Sequence, residues 1–383
     1  MLLNPRYGSA SLADVVPSIL AHLGVAGEMD RIGLDLDGVR RVCVLLVDGL
    51  GSEQLSAHPK EAPFLNSHSS PAITAGFPTT TATSLSSFGT GLPPGSHGIM
   101  GYLVAAPGHK RLMNSLQWKL VGAGRSEALP VDLVPETFQP TPTAFERGLE
   151  AGVRVAHIGP SMQNGSGLTR AALRGPSFHP SVSIGDLGAQ VGDIFDSAGP
   201  TLVYAYYGDL DLVGHVRGPQ SLAWRLELGH VDDLAQAIAE RLPDDGALIV
   251  VADHGMVEVE DRIDYDTSVE LQRGIRLVGG EPRMRYLYPR EGAGDDVAAT
   301  WHEHLGAGFR VLSRDEAIDL GWFGPTVSTD AYGRIGDLLV LANDRSVVIR
   351  SRTEVSASAL RGHHGSLTSA ELMIPALVIR GKS

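Results

Sequence analysis

The stretch ALIVVADHGM, residues 247–256, carries six apolar residues without alternation into an acid, an imidazole and a glycine. A strand with one wet face would alternate; this run does not, so it reads as a strand buried on both sides. Such strands belong to parallel sheets covered by helices. Similar runs lie at Val39–Val47, Val153–Ile158, Leu202–Tyr206, Leu338–Ala342 and Ile374–Ile379. Between them the pattern turns helical, most clearly from Ser221 to Leu242. There Leu222, Leu228, Val231, Leu234, Ile238 and Leu242 form one stripe, Ser221 is placed to cap, and Pro243 stops the helix.

Strands alternating with helices predict an α/β fold: a mostly parallel central sheet flanked by helices. The rhythm breaks after residue 256. Arg285–Pro289 and Phe309–Leu312 read as strands and Asp295–Leu305 as a helix, before RIGDLLVLA reopens the apolar pattern. The expectation is a catalytic core over residues 1–256, a small α+β cap insertion over 257–333, and a closing part of the core over 334–383. The Pro/Gly-rich pieces near Pro93 and Pro130–Pro142 read as ordered loops.

Ligands in open α/β sheets gather at the carboxyl ends of strands, and this chain concentrates its chemistry there. Asp48 ends VLLVDG; Asp253 and His254 end IVVADHG. An Asp-Gly pair is also a common turn, so Asp48 alone decides nothing. Asp211 and His215 are four apart in DLVGH, a spacing that brings both to one side of a helical turn; Asp209 is a rival at spacing six. His364 sits in RGHHGS beside its rival His363. Thr81 lies in a Thr/Ser-rich segment, FPTTTATSLSS, where a hydroxyl at a helix start beside a cation becomes a usable nucleophile. Carboxylates and imidazoles in this number suit two divalent cations and point to phosphoryl chemistry.

The bulk composition narrows the alternatives. The chain has 383 residues, 43% hydrophobic and 20% charged, with a net charge of −13. An acidic chain without a basic run is not built for a nucleic-acid or anionic-membrane surface. The single cysteine, Cys43, excludes an intramolecular disulfide. No apolar stretch reaches the roughly 20 residues of a membrane span. The N-terminus lacks a basic start followed by an apolar block, so a cytoplasmic protein acting on a small-molecule phosphoester is expected. Oligomeric state is not legible.

Together these motifs resemble the alkaline phosphatase superfamily, and within it the nucleotide pyrophosphatase/phosphodiesterase branch. The resemblance is carried by Asp48-Gly49, by Pro78-Thr79-Thr80-Thr81 with Thr90-Gly91-Leu92 and Ser96-His97-Gly98, by Asp211…Gly214-His215 with Gly218-Pro219, by Asp253-His254-Gly255-Met256, and by His364 before a glycine. It implies Thr81 as nucleophile. It also implies two zinc ions, one on Asp211, His215 and His364, the other on Asp48, Asp253, His254 and the Thr81 oxygen; manganese is the alternative metal. Two stretches depart from the family pattern and one position keeps it. Ala82-Thr83-Ser84-Leu85 replaces the usual Phe-Pro-Asn-His, which leaves Ser84 to bind a phosphoryl oxygen and removes half of a nucleobase clamp. Tyr206 matches a substrate-stacking position. Asp209-Leu210 replaces Glu-Pro. The implied activity is phosphodiester hydrolysis. The alternatives are a phosphonoacetate hydrolase-like enzyme cleaving carbon–phosphorus, a phosphomutase or phosphotransferase, and a binding module that kept the fold. The absence of Cys-x-Pro-x-Arg excludes a sulfatase.

Overall fold

The structure, a computed structural model, describes residues 2–68, 71–122, 133–197 and 199–381. Its centre is a six-stranded sheet. In chain order the strands are β1 (Arg41–Val47), β2 (Arg154–Pro160), β3 (Ser177–Ser181), β4 (Thr201–Tyr207), β5 (Gly246–Val251) and, closing the chain, Ala376–Arg380. The spatial order is Ala376–Arg380, β5, β1, β4, β2, β3. All pairings are parallel except that of the closing strand with β5, which is antiparallel. Every residue of β1 after Arg41 and every residue of β5 is buried, the consequence of helices on both faces.

Three connections position the site. α1 (Thr81–Thr90) follows β1 after two short helices (Ser52–Ser56, Pro63–Asn66) and the short strand Ile73–Thr74; α2 (Asp209–Arg217) follows β4 directly; α3 (Leu222–Ala239) leads back to β5. The Ser221 hydroxyl caps α3, accepting the Trp224 amide at 3.2 Å. The buried stripe of α3 runs Trp224, Leu228, Val231, Ala235, Ile238. Leu222, expected on that stripe, is 65% exposed, and Leu242 lies beyond the helix end. Trp224 takes the first-turn position because its indole reaches the core from there.

A second, four-stranded antiparallel sheet holds β6 (Ile275–Glu281), β7 (Met284–Pro289), β8 (Phe309–Ser313) and β9 (Leu338–Ala342), in the order β6, β7, β9, β8. Helix α4 (Gly294–Leu305) sets Val297, Trp301 and Leu305 against it in a separate apolar cluster. Leu338–Ala342, expected to reopen the core, is instead a central strand here, paired on both sides. Ser346–Ile349 likewise pairs with Asp261–Asp264 rather than with the core sheet. Five consecutive buried residues look the same in either sheet, so the run itself did not reveal its partner.

Two further expectations changed. The run Ile374–Ile379 is split at Pro375, which lacks the N–H a continuous ladder needs; Met373–Ile374 pairs with Ile73–Thr74 and only Ala376–Arg380 joins the main sheet. β3 (SFHPS) carries no apolar run and went unseen. The Pro-rich stretch at 130–142 contains the short helix Pro135–Phe138, while residues 130–132 lie outside the described residues. No helix among the described residues is long and apolar enough to cross a membrane.

Candidate metal and catalytic site

Because β4, β1 and β5 are adjacent and parallel, their carboxyl ends deliver three loops to one edge of the sheet. Asp48 follows β1, Asp211 lies on α2 just after β4, and Asp253 and His254 follow β5. His364 arrives from the opposite direction. It follows Gly362–His363, a short strand paired with Val257–Glu258. The side chains fall into two groups, Asp211 with His215 and His364, and Asp48 with Asp253 and His254. Within each group the potential ligand atoms lie within 4.8 Å of one another. The His254 and His364 rings stack at 3.6 Å, so the two groups adjoin.

The hydrogen bonds around these groups point their ligand atoms inward. His215 Nδ1–H donates to the Gly362 carbonyl at 2.7 Å, His364 Nδ1–H to the Thr79 carbonyl at 2.7 Å, and His254 Nδ1–H to the Gly255 carbonyl at 3.1 Å. A carbonyl can only accept, so these contacts fix one tautomer and leave each Nε2 with a bare lone pair. Those lone pairs face other acceptors. His215 Nε2 is 3.2 Å from His364 Nε2 and 3.4 Å from Asp211 Oδ2. His254 Nε2 is 3.4 Å from both Asp48 Oδ1 and Asp253 Oδ2.

Each carboxylate also keeps one oxygen without a hydrogen-bond partner among the described residues: Asp48 Oδ1, Asp211 Oδ1 and Asp253 Oδ2. The other oxygens of Asp48 and Asp253 are held. Tyr206 donates its hydroxyl to Asp48 Oδ2, and the amides of Gly49 and His254 donate to Asp253 Oδ1 at 3.1 and 3.0 Å. Burial, reinforced by the charges of Asp253 and Asp211, pushes the Asp48 carboxyl well above the usual carboxylate range. Asp253 is raised by burial as well, and burial drives His364 well below the usual imidazole range. Buried acceptors facing acceptors are costly unless a cation lies between them. The donor set therefore fits divalent metal.

Thr81 is the first residue of α1, its hydroxyl 3.3 Å from His254 Nε2. It thereby stands at the start of a ten-residue helix, whose first-turn amides have no carbonyl partner within the helix. Its neighbours are otherwise occupied. Thr79 donates its hydroxyl to the Ser366 carbonyl at 2.7 Å and accepts the Gly365 amide at 3.0 Å, and Thr80 is the N-cap residue. The rivals of the ligand residues separate as clearly. Asp209 is exposed. His363 is buried outside both groups, its imidazole pushed down to about 3 by that burial.

Two site residues differ from expectation. Tyr206, expected to stack on substrate, is only 9% exposed and commits its hydroxyl to Asp48, so it orients a carboxylate. Ser84 is fully buried one turn along α1, its hydroxyl without a partner among the described residues. A third residue was not anticipated. Glu281, from β6 of the second sheet, is buried with neither carboxyl oxygen in a full hydrogen bond. The Thr80 hydroxyl, the Arg285 guanidinium and the Tyr102 amide are polar neighbours that favour its charged form, but burial outweighs them and pushes it up to about 8. Its only sequence signal was an acid ending an apolar strand, GIRLVGGE.

Comparison with known proteins agrees with this geometry. Murine ectonucleotide pyrophosphatase / phosphodiesterase 5 superposes with a TM-score of 0.67 over 90% of this chain and 88% of its own, at 19% identity. Phosphonoacetate hydrolase from Sinorhizobium meliloti 1021, in complex with phosphonoacetate, gives 0.65 over 91% and 92% at 17% identity. At such identities the likeness is one of fold. Human GPI ethanolamine phosphate transferase 3, catalytic subunit, is 30% identical over 134 residues, 33% of this chain and only 12% of that protein's length. Residues 42–367, which contain every candidate ligand and Thr81, match the type I phosphodiesterase / nucleotide pyrophosphatase family, and the chain belongs to that family.

Proposed function

We propose that the protein hydrolyses phosphodiesters, with Thr81 as nucleophile and two divalent cations, zinc foremost and manganese the alternative. The observation that carries this reading is a hydroxyl at a helix start, beside two groups whose orphaned carboxylate oxygens and bare imidazole nitrogens converge. Asp211, His215 and His364 would hold one cation; Asp48, Asp253 and His254, with the Thr81 oxygen, would hold the other. Bound there, the cations supply the positive charge that lowers the pKa of the threonine hydroxyl and offsets charge developing on the phosphoryl oxygens.

The chain's own residues do the rest. Thr81 Oγ1 attacks phosphorus in line and the bond to the leaving oxygen breaks. That oxygen departs as the alcohol with the threonine proton, and a threonyl phosphodiester that keeps the other ester group forms. Water then attacks that phosphorus and returns the free hydroxyl. Amides of the first turn of α1 donate to the non-bridging oxygens, strongest where negative charge grows. Ser84 is a further donor only if its buried hydroxyl turns toward the phosphoryl group. Tyr206 keeps Asp48 aimed, and the backbone carbonyls of Gly362, Thr79 and Gly255 keep the three imidazoles aimed.

An inactive threonine-to-alanine variant of the murine protein is in complex with AMP, which makes nucleotide esters the first physiological class to assay here. The decisive test compares bis-nitrophenyl phosphate with nitrophenyl phosphate on metal-stripped protein reloaded with zinc or manganese. Metal-dependent turnover of the diester well above the monoester supports the proposal; dominant monoester turnover overturns it. Turnover of phosphonoacetate but of neither ester would give the site to carbon–phosphorus cleavage.

A further inference from the structure

Glu281 ends β6 at the tip of the hairpin that β6 forms with β7, where it stands opposite Met284. The tip is anchored. Arg283 holds Glu371 through two bonds of 2.9 and 2.7 Å, and the Pro282 carbonyl accepts the Val348 amide at 2.9 Å. It carries Glu281 in among three other pieces of chain. Gly365, which follows His364, lies so near that a Cβ there would stand 2.6 Å from Glu281 Cγ. A Cβ on Gly101 would stand 3.9 Å from Oε1, and the Tyr102 amide and Thr80 hydroxyl face the carboxyl. Buried and without a full hydrogen bond among the described residues, this carboxyl has accepting capacity to spare.

Thr80 is the N-cap residue of α1 and has the extended backbone of one, φ −139° and ψ 147°. A threonine there ordinarily turns its hydroxyl to the amide of the second or third helical residue, here Ala82 or Thr83. Thr143, Ser183, Ser221 and Ser313 each cap their own helices in that way. Thr80 does not: its side chain makes no cap bond, and its hydroxyl faces Glu281 instead. The first helical bond of α1 runs from the Ser84 amide to the Thr80 carbonyl at 2.9 Å. The amides ahead of it have no carbonyl partner within the helix. These are the donors assigned above to the phosphoryl oxygens.

We propose that Glu281 is a positioning residue that holds the Thr80 hydroxyl off the first-turn amides of α1, so that they stay open to the phosphoryl group; the assignment rests on the hydrolase reading above. An acceptor suffices for this, and a carboxyl group offers one whether or not it carries a proton. The second sheet thereby governs how strongly a helix of the core can donate to substrate.

The test uses the zinc-loaded full chain and bis-nitrophenyl phosphate, with kcat taken per metal-loaded protein. Glu281→Leu removes the acceptor and frees the Thr80 hydroxyl to cap. It should lower kcat by about a hundredfold, the order expected when a donor to growing oxyanion charge is lost, with metal content kept. Adding Thr80→Val leaves no hydroxyl to cap and should restore most of the turnover, as should Glu281→Gln, which returns an acceptor. Undiminished kcat in Glu281→Leu, or a double variant as slow as the single, overturns the proposal. If Glu281→Leu does not fold, Thr80→Asn is compared with Thr80→Val. Asparagine caps strongly and valine cannot, so only the first should be slow, and equal rates overturn the proposal. If wild type turns over neither nitrophenyl ester, the hydrolase reading fails on its own account. The Ala82 and Thr83 amide protons, followed by NMR in the same chains, then decide the role of Glu281. A new cap bond shifts one of them downfield in Glu281→Leu and not in the double variant; two unmoved amides overturn the proposal.

Discussion

Two buried charge clusters lie on either side of His364, and they are built on opposite principles. In the first, Asp48, Asp211 and Asp253 each leave an oxygen without a partner while imidazole lone pairs face them. In the second, each charge is met. Arg283 grips Glu371 with two bonds of 2.9 and 2.7 Å, both side chains fully buried, and donates to the Ser346 carbonyl at 2.7 Å. Arg285 does the same with Glu354 and the Val348 carbonyl. Glu371 also accepts the Ser366 amide at 3.0 Å, so the pair ties the loop after His364 to the second sheet. Satisfied buried charge holds the architecture in place; unsatisfied buried charge waits for a ligand.

The contrast can be broken at four points. The largest effect belongs to the first cluster. Thr81→Ala should lower kcat by at least about a thousandfold, while elemental analysis finds the metal content kept, since six other ligands remain. Residual turnover near wild type would remove the covalent step.

Next comes the satisfied cluster. Arg283→Met should cost about 3–5 kcal/mol in urea unfolding, because the Glu371 carboxylate is left buried without a countercharge. Adding Glu371→Leu should recover most of that loss. A double variant as unstable as the single would show that the pair does more than cancel its own desolvation.

Glu281 lies between the two clusters and shares the character of the first. Burial raises its carboxyl to about 8, so the folded chain keeps a proton that the unfolded chain releases near the ordinary glutamate value. Its contribution to stability is therefore full below that ordinary value and is lost as pH rises through about 8. Glu281→Gln should flatten this decline and be about 2 kcal/mol more stable than wild type at about pH 9. Parallel stability–pH curves for the two proteins would refute the assignment.

The smallest effect probes how the orphaned set is aimed. Tyr206→Phe removes the hydroxyl bond to Asp48 and should weaken metal binding by about tenfold, read by competition with a chelator. Unchanged affinity would leave Tyr206 a packing residue.

Much of the site was readable before the fold because several ligands follow a strand whose apolar run is itself readable. Asp48, Asp253 and His254 inherit their place from the ends of β1 and β5, and Asp211 and His215 from helical spacing. The choice of Thr81 over Thr79 and of His364 over His363 needed the family resemblance, since neighbouring side chains of one type carry no local label. The structure gives the physical difference: Thr79 is tied to Ser366 and Gly365, and His363 is buried outside both ligand groups. In the sequence a tyrosine at a strand end looks the same whether its hydroxyl meets a substrate or a carboxylate; the fold shows that of Tyr206 donating to Asp48.

The sequence by itself determined the parallel sheet, the edge at which the chemistry gathers and the donor types assembled there. Hydrophobic periodicity and ligand chemistry are local properties, and both are written residue by residue. Only the tertiary structure decided that Leu338–Ala342 belongs to the second sheet and that Glu281 reaches Thr80 from that sheet. These are contacts between distant parts of the chain. They depend on which strand pairs with which, a choice made by the packing of the whole molecule and not by any one stretch.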